Sequence, residues 1–156
     1  MHKNRFYIDT SVFGGYFDQE FEKWSKIFIN DILQGIHIPV LSDVTIREIE
    51  KAPKRVNEIF ESILKCDVEL IEVNEEIEIL SNVYIHQKAI SEKFKEDALH
   101  IACATICKVD ALISWNFKHI VNVDRIRKYN SVNLFNNYNL LDIRTPMEVL
   151  NGNEEI

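Results

Sequence analysis

The chain has 156 residues, of which 46% are hydrophobic and 28% are charged, with only 4 Gly and 3 Pro. This composition excludes disordered, collagen-like and repeat chains, and the length predicts a single domain over residues 1–150 with a polar tail over 151–156. The formal net charge is -7, and between Glu58 and Asn82 eight acidic residues face one base, so this window carries the whole excess (8 − 1 = 7). The remaining 17 acids and 17 bases (25 − 8 and 18 − 1) cancel, which leaves room for a positive face elsewhere.

Cysteine content and hydropathy indicate the compartment. Three cysteines, at positions 66, 103 and 107, form no even set and predict no disulfide framework. No apolar run approaches the ~18 residues needed to cross a bilayer. The first residues lead into a strand-like run rather than the apolar segment of a signal peptide. We therefore expect a cytoplasmic protein.

The first half of the chain alternates short apolar runs with segments of helical periodicity. The predicted elements are a strand at 6–8, a helix at 20–34, a strand at 36–41, a helix at 43–50 and a helix at 53–65. In the first helix apolar residues recur every three or four positions, and Gly35 closes it. Ser42 stands where an N-cap is expected, and Pro53 suits a first helical turn.

The second half continues this alternation. The predicted elements are a strand or sheet edge at 68–73, helices at 75–89 and 94–108, a strand at 111–114, a strand at 140–143 and a short helix from Pro146. Asn74 is expected to cap the helix that follows it. Residues 118–128 are predicted to be a solvated basic stretch. Strands that alternate with helices predict an α/β fold, a three-layer sandwich with a mostly parallel central sheet.

Polar side chains follow the predicted strands near the points where the strands end. Asp9 follows the first strand, Glu48 lies on the helix after the second, and Asp97 lies in the first turn of a later helix. Asn116 comes just after the next strand, with Ser114 beside it. Ligands of an open parallel sheet bind outside the carboxyl ends of its strands, so these side chains should converge. Oxygen ligands without His or Cys favour Mg²⁺ or Mn²⁺ over Zn²⁺.

Four short motifs surround these positions. They are Tyr7-Ile8-Asp9-Thr10-Ser11, Thr45-Ile46-Arg47-Glu48-Ile49, Asp97-Ala98-Leu99-His100-Ile101-Ala102 and Ser114-Trp115-Asn116-Phe117. In their order and spacing they resemble the PIN-domain nucleases, in particular the VapC-like toxins of toxin-antitoxin pairs. The closing segment 143–148 is similar to the ending that many of these proteins share, so the resemblance covers nearly the whole chain. It implies a metal-dependent ribonuclease of compact α/β/α fold, often a homodimer and often inhibited by a small antitoxin protein.

Carried over residue by residue, the resemblance implies that Asp9, Glu48 and Asp97 are the core acids of a metal site, with Thr10 or Ser11 as their hydroxyl neighbour. Many relatives have Asp at the position of Asn116. Here the fourth group is a neutral amide, which predicts weaker binding of the divalent ion or of a second ion. Two nearby acids are candidates for supplying the missing charge, and they are Asp110 and Asp124.

The chemistry of phosphodiester hydrolysis assigns a role to each residue type. Metal ions neutralise the charge that builds up in the transition state and lower the pKa of bound water. We predict Asp9 and Asp97 as direct ligands and Glu48 as a ligand or as a base through a bound water. Asn116 would orient these carboxylates without binding the metal itself. The residues predicted to position water, phosphate or single-stranded RNA are Thr10, Ser11, Ser114 and Lys118.

Two further clusters have an ordinary and a functional interpretation. His100, Cys103 and Cys107 have helical spacing, but no fourth ligand stands at a usual distance, so we predict buried side chains rather than a zinc site. His100 is expected to hydrogen-bond Asp97 or a backbone oxygen. The aromatic residues after the first strand would stack on RNA bases or, more commonly, contact the core or a dimer partner. They are Phe13, Tyr16 and Phe17.

Two other functions remain open. Because of Asn116 and the charge of -7, a catalytically weakened PIN-like module that binds protein or RNA is the main alternative. An aspartate-dependent phosphatase is a further alternative, although Ser11 stands where the second Asp of a haloacid-dehalogenase-type enzyme is needed. A response-regulator receiver fits the length and context poorly. On charge alone, the acidic window 58–82 suits a basic antitoxin arm.

Overall fold

Five parallel strands form the sheet at the centre of the computed structural model, which describes residues 2–151. The strands are β1 (Arg5–Ile8), β2 (Ile38–Ser42), β3 (Glu69–Ile71), β4 (Ala111–Ile113) and β5 (Ile143–Arg144). Their order across the sheet is β3-β2-β1-β4-β5, and every neighbouring pair is parallel. The predicted parallel α/β sheet is therefore confirmed. Of the predicted tail, only Asn151 lies within the described residues.

Helices connect the strands and cover both faces of the sheet. They are α1 (Thr10–Gly15), α2 (Glu22–Leu33), α3 (Asp43–Glu50), α4 (Lys54–Leu64), α5 (Glu75–His86), α6 (Lys95–Ile106) and α7 (Val123–Phe135). Two 3-10 turns, Glu92–Phe94 and Pro146–Val149, complete the described chain. Asn74 caps α5 as predicted, because its side chain accepts a hydrogen bond from the backbone N–H of Ile77. None of the helices among residues 2–151 is long and apolar enough to span a membrane.

Helices α1 and α7 are absent from the elements predicted above. No helix was predicted between the strand at 6–8 and the helix at 20–34, but α1 begins directly after Asp9. The basic stretch 118–128 runs into α7, which Asn122 caps by accepting from two backbone N–H groups. Apolar residues at 126, 129 and 132 have the spacing of a helix face, so this periodicity was a usable signal for α7.

Side chains that alternate along the strands create the three layers. On β1, Tyr7 packs into the core beneath α5, α6 and α7, whereas Phe6 and Ile8 pack into the core beneath α1, α2 and α4. A strand whose two faces are both buried reads as a continuous apolar run, as Phe6-Tyr7-Ile8 does. Because all strands are parallel, their carboxyl ends share one edge, and this edge carries Asp9 and Ser114.

The contact between α1 and the segment after β4 leaves no room for a side chain at Gly15. A Cβ there would lie 2.7 Å from Trp115 Cδ1 and 2.8 Å from Ser25 Oγ. These two side chains are themselves joined, since Trp115 Nε1 donates to Ser25 Oγ at 2.8 Å. At Gly14, by contrast, an added Cβ meets nothing within 4 Å.

Gly15→Ala is therefore expected to destabilise the fold by about 1–3 kcal/mol, because it forces Trp115 out of its packed position. Gly14→Ala is the matched control and is expected to leave stability unchanged or to raise it by up to about 1 kcal/mol, since Ala favours a helix more than Gly does. Urea unfolding of both variants measures the difference. Equal unfolding midpoints for the two variants would contradict this close packing.

Candidate metal centre

A cleft at the carboxyl edge of the sheet brings the predicted site residues together. Its volume is about 330 Å³. The polar residues that line it are Asp9, Thr10, Ser11, Glu48, Asp97 and Asn116. They come from four separate parts of the chain, namely the end of β1 with α1, helix α3, the first turn of α6 and the loop after β4. The cleft thus brings together six of the predicted site residues across more than 100 residues of sequence (9 to 116).

Asp9 is held in place by two hydroxyl groups. Its Oδ2 accepts hydrogen bonds from Ser11 Oγ and from Ser114 Oγ, each at 2.7 Å. The two serines are fixed in turn, because the backbone N–H of Trp115 donates to Ser11 and that of Asn116 donates to Ser114, each at 2.9 Å. Asp9 is 4% exposed. One of its oxygens is thus committed to this network, and Oδ1 is directed to the side of His100.

Glu48 and His100 are hydrogen-bonded to one another inside the site. His100 Nε2 hydrogen-bonds Glu48 Oε1, lies 3.5 Å from Asp9 Oδ1, and is fully buried. Thr10 Oγ1 donates to the same Glu48 oxygen at 3.0 Å. Burial alone would raise the pKa of Glu48, but the hydrogen bond and charge of His100 outweigh burial and lower it. The predicted hydrogen bond from His100 to Asp97 is wrong. The ring points towards α3 and β1, and its partner is Glu48.

The other nitrogen of His100 is anchored by Tyr7. The Tyr7 hydroxyl lies 2.6 Å from His100 Nδ1 and 2.6 Å from Ser42 Oγ, and all three side chains are buried. Burial lowers the pKa of His100, but the hydrogen bond to Glu48 and the charges of Asp9 and Glu48 outweigh burial and raise it. The neighbouring acids therefore favour the protonated ring, whose charge opposes the negative charge of the cleft.

Asp97 faces the other acids across the cleft. Burial and the charge of Asp9, together with the charge of Glu48, raise the pKa of Asp97 to about 6. The side-chain NH₂ group of Asn116 lies 3.4 Å from Asp97 Oδ2. The Oδ1 of Asn116 accepts a hydrogen bond from the backbone N–H of His119 at 3.0 Å. A raised carboxyl pKa among like charges is the electrostatic signature of a site that a cation would stabilise.

The donor atoms fit a hard divalent cation. One ligand atom each from Asp9, Glu48 and His100 lies within 4.8 Å of the others. Ligands around an octahedral Mg²⁺ at 2.0–2.1 Å stand about 3–4 Å apart, so a small adjustment suffices. Only the neutral imidazole coordinates a metal, and the hydrogen bond to Glu48 and the charge of Asp9 raise the pKa of His100, which favours the carboxylates as the ligands. Sequence reasoning placed His100 on the same helix as Asp97 and expected it to be buried, but did not count it among the site residues.

Several predicted residues lie elsewhere. Ser114 is fully buried behind Asp9, because it ends a central strand, so its hydroxyl supports the carboxylate instead of contacting water or phosphate in the cleft. Lys118 is exposed on the loop after β4 and is not among the residues that line the cleft. Phe13 is a core residue packed edge-on against Phe60.

Neither candidate for the missing fourth charge reaches the cleft. Asp110 precedes β4 and accepts a hydrogen bond from the backbone N–H of Arg5, the first residue of β1. It therefore lies at the amino edge of the sheet, opposite to Asp9. Asp124 is exposed in the first turn of α7 and is not among the residues that line the cleft. Sequence proximity to Asn116 was misleading because a strand carries the chain from one edge of the sheet to the other.

Comparisons with known proteins agree with the fold. No model of a known protein family matches the chain, and no curated protein matches it by sequence. Among solved structures, this chain is similar to a chain in the crystal structure of VapBC2 from Rickettsia felis bound to a DNA fragment from the VapBC2 promoter. The TM-score is 0.56 at 12% identity, over 90% of this chain and 98% of that chain. At this identity the likeness shows the fold alone, and it agrees with the three-layer α/β architecture predicted from the sequence.

Proposed function

We propose that this chain is a metal-dependent endoribonuclease that hydrolyses RNA phosphodiester bonds, and that it is the toxin of a toxin-antitoxin pair acting in the cytoplasm. The observation that carries the proposal is the convergence of Asp9, Glu48 and Asp97 in one cleft at the carboxyl edge of a parallel sheet. The likeness in fold to a chain of VapBC2 supports it.

Each residue of the cleft has a role in this proposal. Asp9 and Asp97 would hold Mg²⁺ or Mn²⁺ directly, and Glu48 would hold it or accept a proton from an attacking water. The cation, when bound, neutralises charge on the phosphodiester and lowers the pKa of the attacking water. Thr10 and Ser11 present hydroxyls to the cleft, where they can orient water or phosphate. Asn116 would position Asp97 through its amide.

Two bases in a depression beside the cleft support an anionic substrate. Arg47 and Lys51 line a depression of about 400 Å³ that shares Glu48 with the cleft. Arg47 is paired with Glu96 at 3.1 Å, whereas no ion pair among residues 2–151 involves Lys51. An acidic cleft repels RNA, so cations at its margin are needed to hold the strand. Lys51, and Lys118 on the other side, would contact phosphates of single-stranded RNA.

The partners follow from the same proposal. A small antitoxin protein would bind and inhibit this chain, and two copies of the chain would form a homodimer. The residues to which the proposal gives a role all belong to this chain. The nuclease proposal can therefore be tested on the isolated chain.

The test is RNA cleavage by the purified chain with and without divalent metal. Cleavage is expected with Mg²⁺ or Mn²⁺ and is expected to stop when EDTA removes the ion, since the carboxylates by themselves do not activate water. Restoration by added Mn²⁺ is the control for irreversible damage. Equal cleavage in EDTA would disprove the metal-dependent mechanism.

Asn116 favours one second candidate, a module that binds protein or RNA without hydrolysis. A neutral amide at this position leaves the cleft with one carboxylate fewer to hold a cation. Calorimetric titration with Mn²⁺ separates the two functions. Binding at micromolar to millimolar Mn²⁺ supports the nuclease, and no heat at millimolar Mn²⁺ supports the binding module.

A further inference from the structure

The cleft has an apolar wall as well as its polar residues. The wall is formed by Gly14 of α1, by Ala52 and Pro53 before α4, and by Val56 of α4. None of the four has a polar side-chain atom, so their side chains neither hold a cation nor orient water. A Cβ added at Gly14 meets nothing within 4 Å, so the wall is open at this point. It offers a surface to a flat, apolar part of a substrate whose phosphate lies among the acids.

Arg55 and Phe17 meet at the rim of this apolar wall. Arg55 Cζ lies over the Phe17 ring, 4.9 Å from the ring centroid. Arg55 comes between Pro53 and Val56 in the chain, and the backbone N–H of Phe17 donates to the backbone oxygen of Gly14 at 3.1 Å. Phe17 is half-buried, whereas Arg55 is exposed. A guanidinium that lies over an aromatic ring keeps its outer face free for a second flat group.

The segment that carries Arg55 is basic. Residues 51–57 contain Lys51, Lys54 and Arg55 and no Asp or Glu. All three bases are exposed, and in the described part of the chain none of them belongs to an ion pair. Positive charge together with exposed aromatic and guanidinium surfaces is typical of sites that bind single-stranded nucleic acid.

We propose that Arg55, supported by Phe17, is a stacking platform for one base of single-stranded RNA, in the nucleotide next to the phosphodiester that the cleft holds. The inference rests on the nuclease function proposed above and adds a subsite to it. The base lies on the guanidinium and the ribose contacts the apolar wall, while Lys51 and Lys54 contact flanking phosphates. Every base has a π-face, so the platform selects an unpaired base and not a particular sequence.

The chemistry of the rim favours a single strand over other occupants. In a duplex each base is paired and stacked between its neighbours, so it reaches the platform only after it leaves the helix. An acidic peptide satisfies the three bases, but it brings no phosphodiester to the acids of the cleft. A single strand supplies a flat group, a flanking anion and the bond to be cut in one polymer.

Two labelled probes of equal charge test the platform by fluorescence anisotropy in EDTA, where the RNA is expected to stay intact. One is a single-stranded RNA of about five nucleotides, and the other is a ribose-phosphate chain of the same length without bases. The wild-type chain is expected to bind the RNA at least about fivefold more tightly, because stacking is lost without the bases. Equal affinity for the two probes, or no measurable binding of the RNA, overturns the proposal.

Arg55→Lys separates stacking from charge, because a lysine keeps the charge but lacks the planar group. This variant is expected to bind the two probes with nearly equal affinity. Lys54→Ala is the matched control, since Lys54 is exposed in the same turn of α4 but lies over no aromatic ring of the described chain. It should weaken both probes equally and keep the wild-type ratio. An Arg55→Lys variant with the wild-type ratio overturns the platform.

Phe17→Leu tests the support under the guanidinium. Leucine keeps an apolar side chain at this half-buried position but removes the ring, so the preference for RNA over the chain without bases is expected to fall. Circular dichroism checks that the variant folds. A folded Phe17→Leu variant with the wild-type ratio contradicts the role of Phe17.

Cleavage in Mn²⁺ distinguishes failure of this subsite from failure of the nuclease proposal. Arg55→Lys is expected to lower kcat/KM at least about fivefold, mainly through KM. Its Mn²⁺ affinity should equal that of the wild type, because Arg55 is not among the residues that line the cleft. A wild type that cleaves RNA but binds both probes equally disproves the platform alone. A wild type that prefers the RNA probe but cleaves nothing supports the platform and disproves the nuclease.

Discussion

Asp9→Asn is expected to lower RNA cleavage at least about 100-fold, which corresponds to about 3 kcal/mol of lost transition-state stabilisation. Asp9 ends β1 at the centre of the cleft, with its Oδ1 beside His100 and its Oδ2 held by Ser11 and Ser114. The amide loses one negative charge where the cation would bind, and its NH₂ group cannot accept from both serines. Initial rates with Mn²⁺ at saturating RNA measure the effect.

The fold of this variant should survive, because two effects on stability oppose one another. The loss of hydrogen bonds to Asp9 destabilises the chain, while removal of its charge relieves repulsion of Asp97, whose pKa it helps to raise. The melting temperature is expected to change by only a few degrees. Asp142→Asn, at an exposed acid paired with Arg144 before β5, is the control and should keep full activity. A fully active Asp9→Asn would end the nuclease proposal.

Asn116→Asp is expected to raise the affinity for Mn²⁺ about tenfold, since a fourth carboxylate would then face the cation. The amide of Asn116 lies 3.4 Å from Asp97 Oδ2, so the new charge would stand beside Asp97 inside the cleft. Without metal, the same change should destabilise the chain, because two carboxylates then face each other. Calorimetric titration measures affinity and stoichiometry together.

The matched control for Asn116→Asp is Asn30→Asp, which adds the same charge at an exposed position of α2. Its Mn²⁺ affinity should equal that of the wild type. A rise from one to two bound ions in Asn116→Asp would indicate that the amide alone prevents a two-ion site. Unchanged affinity in Asn116→Asp would show that residue 116 is out of reach of the ion and would leave the three acids as the complete ligand set.

The architecture was predictable where the local signal was strong. The run Phe6-Tyr7-Ile8 is apolar on both faces because helices cover both sides of β1, and α2 and α5 show the expected periodicity. Helix α1 has only six residues, too few for a periodic pattern to emerge. Helix α7 has a usable pattern, but its exposed bases dominate the segment and obscure it.

Convergence at the cleft was predictable for a topological reason. Parallel strands end at the same edge of a sheet, so a polar residue after β1 and others after later strands must approach one another. The sequence alone does not determine which neighbour each side chain contacts. His100 turns to Glu48 instead of Asp97, and Asp110 lies at the opposite edge of the sheet. The partner of His100 depends on how α6 packs against β1. The place of Asp110 depends on its position before β4, since residues before a strand lie at the amino edge of the sheet.

Some properties of this chain were therefore predictable from the local sequence, and others depend on the tertiary structure. Apolar periodicity, helix caps and the order of Asp9, Glu48 and Asp97 are local properties, and they were sufficient to predict a parallel α/β sandwich with acids at one edge. The pairing of His100 with Glu48 and the position of Asp110 at the opposite edge of the sheet are properties of the tertiary structure. They arise only when segments distant in sequence pack together, because a side chain's hydrogen-bond partner and its surface neighbours are set by that packing and not by its position along the chain.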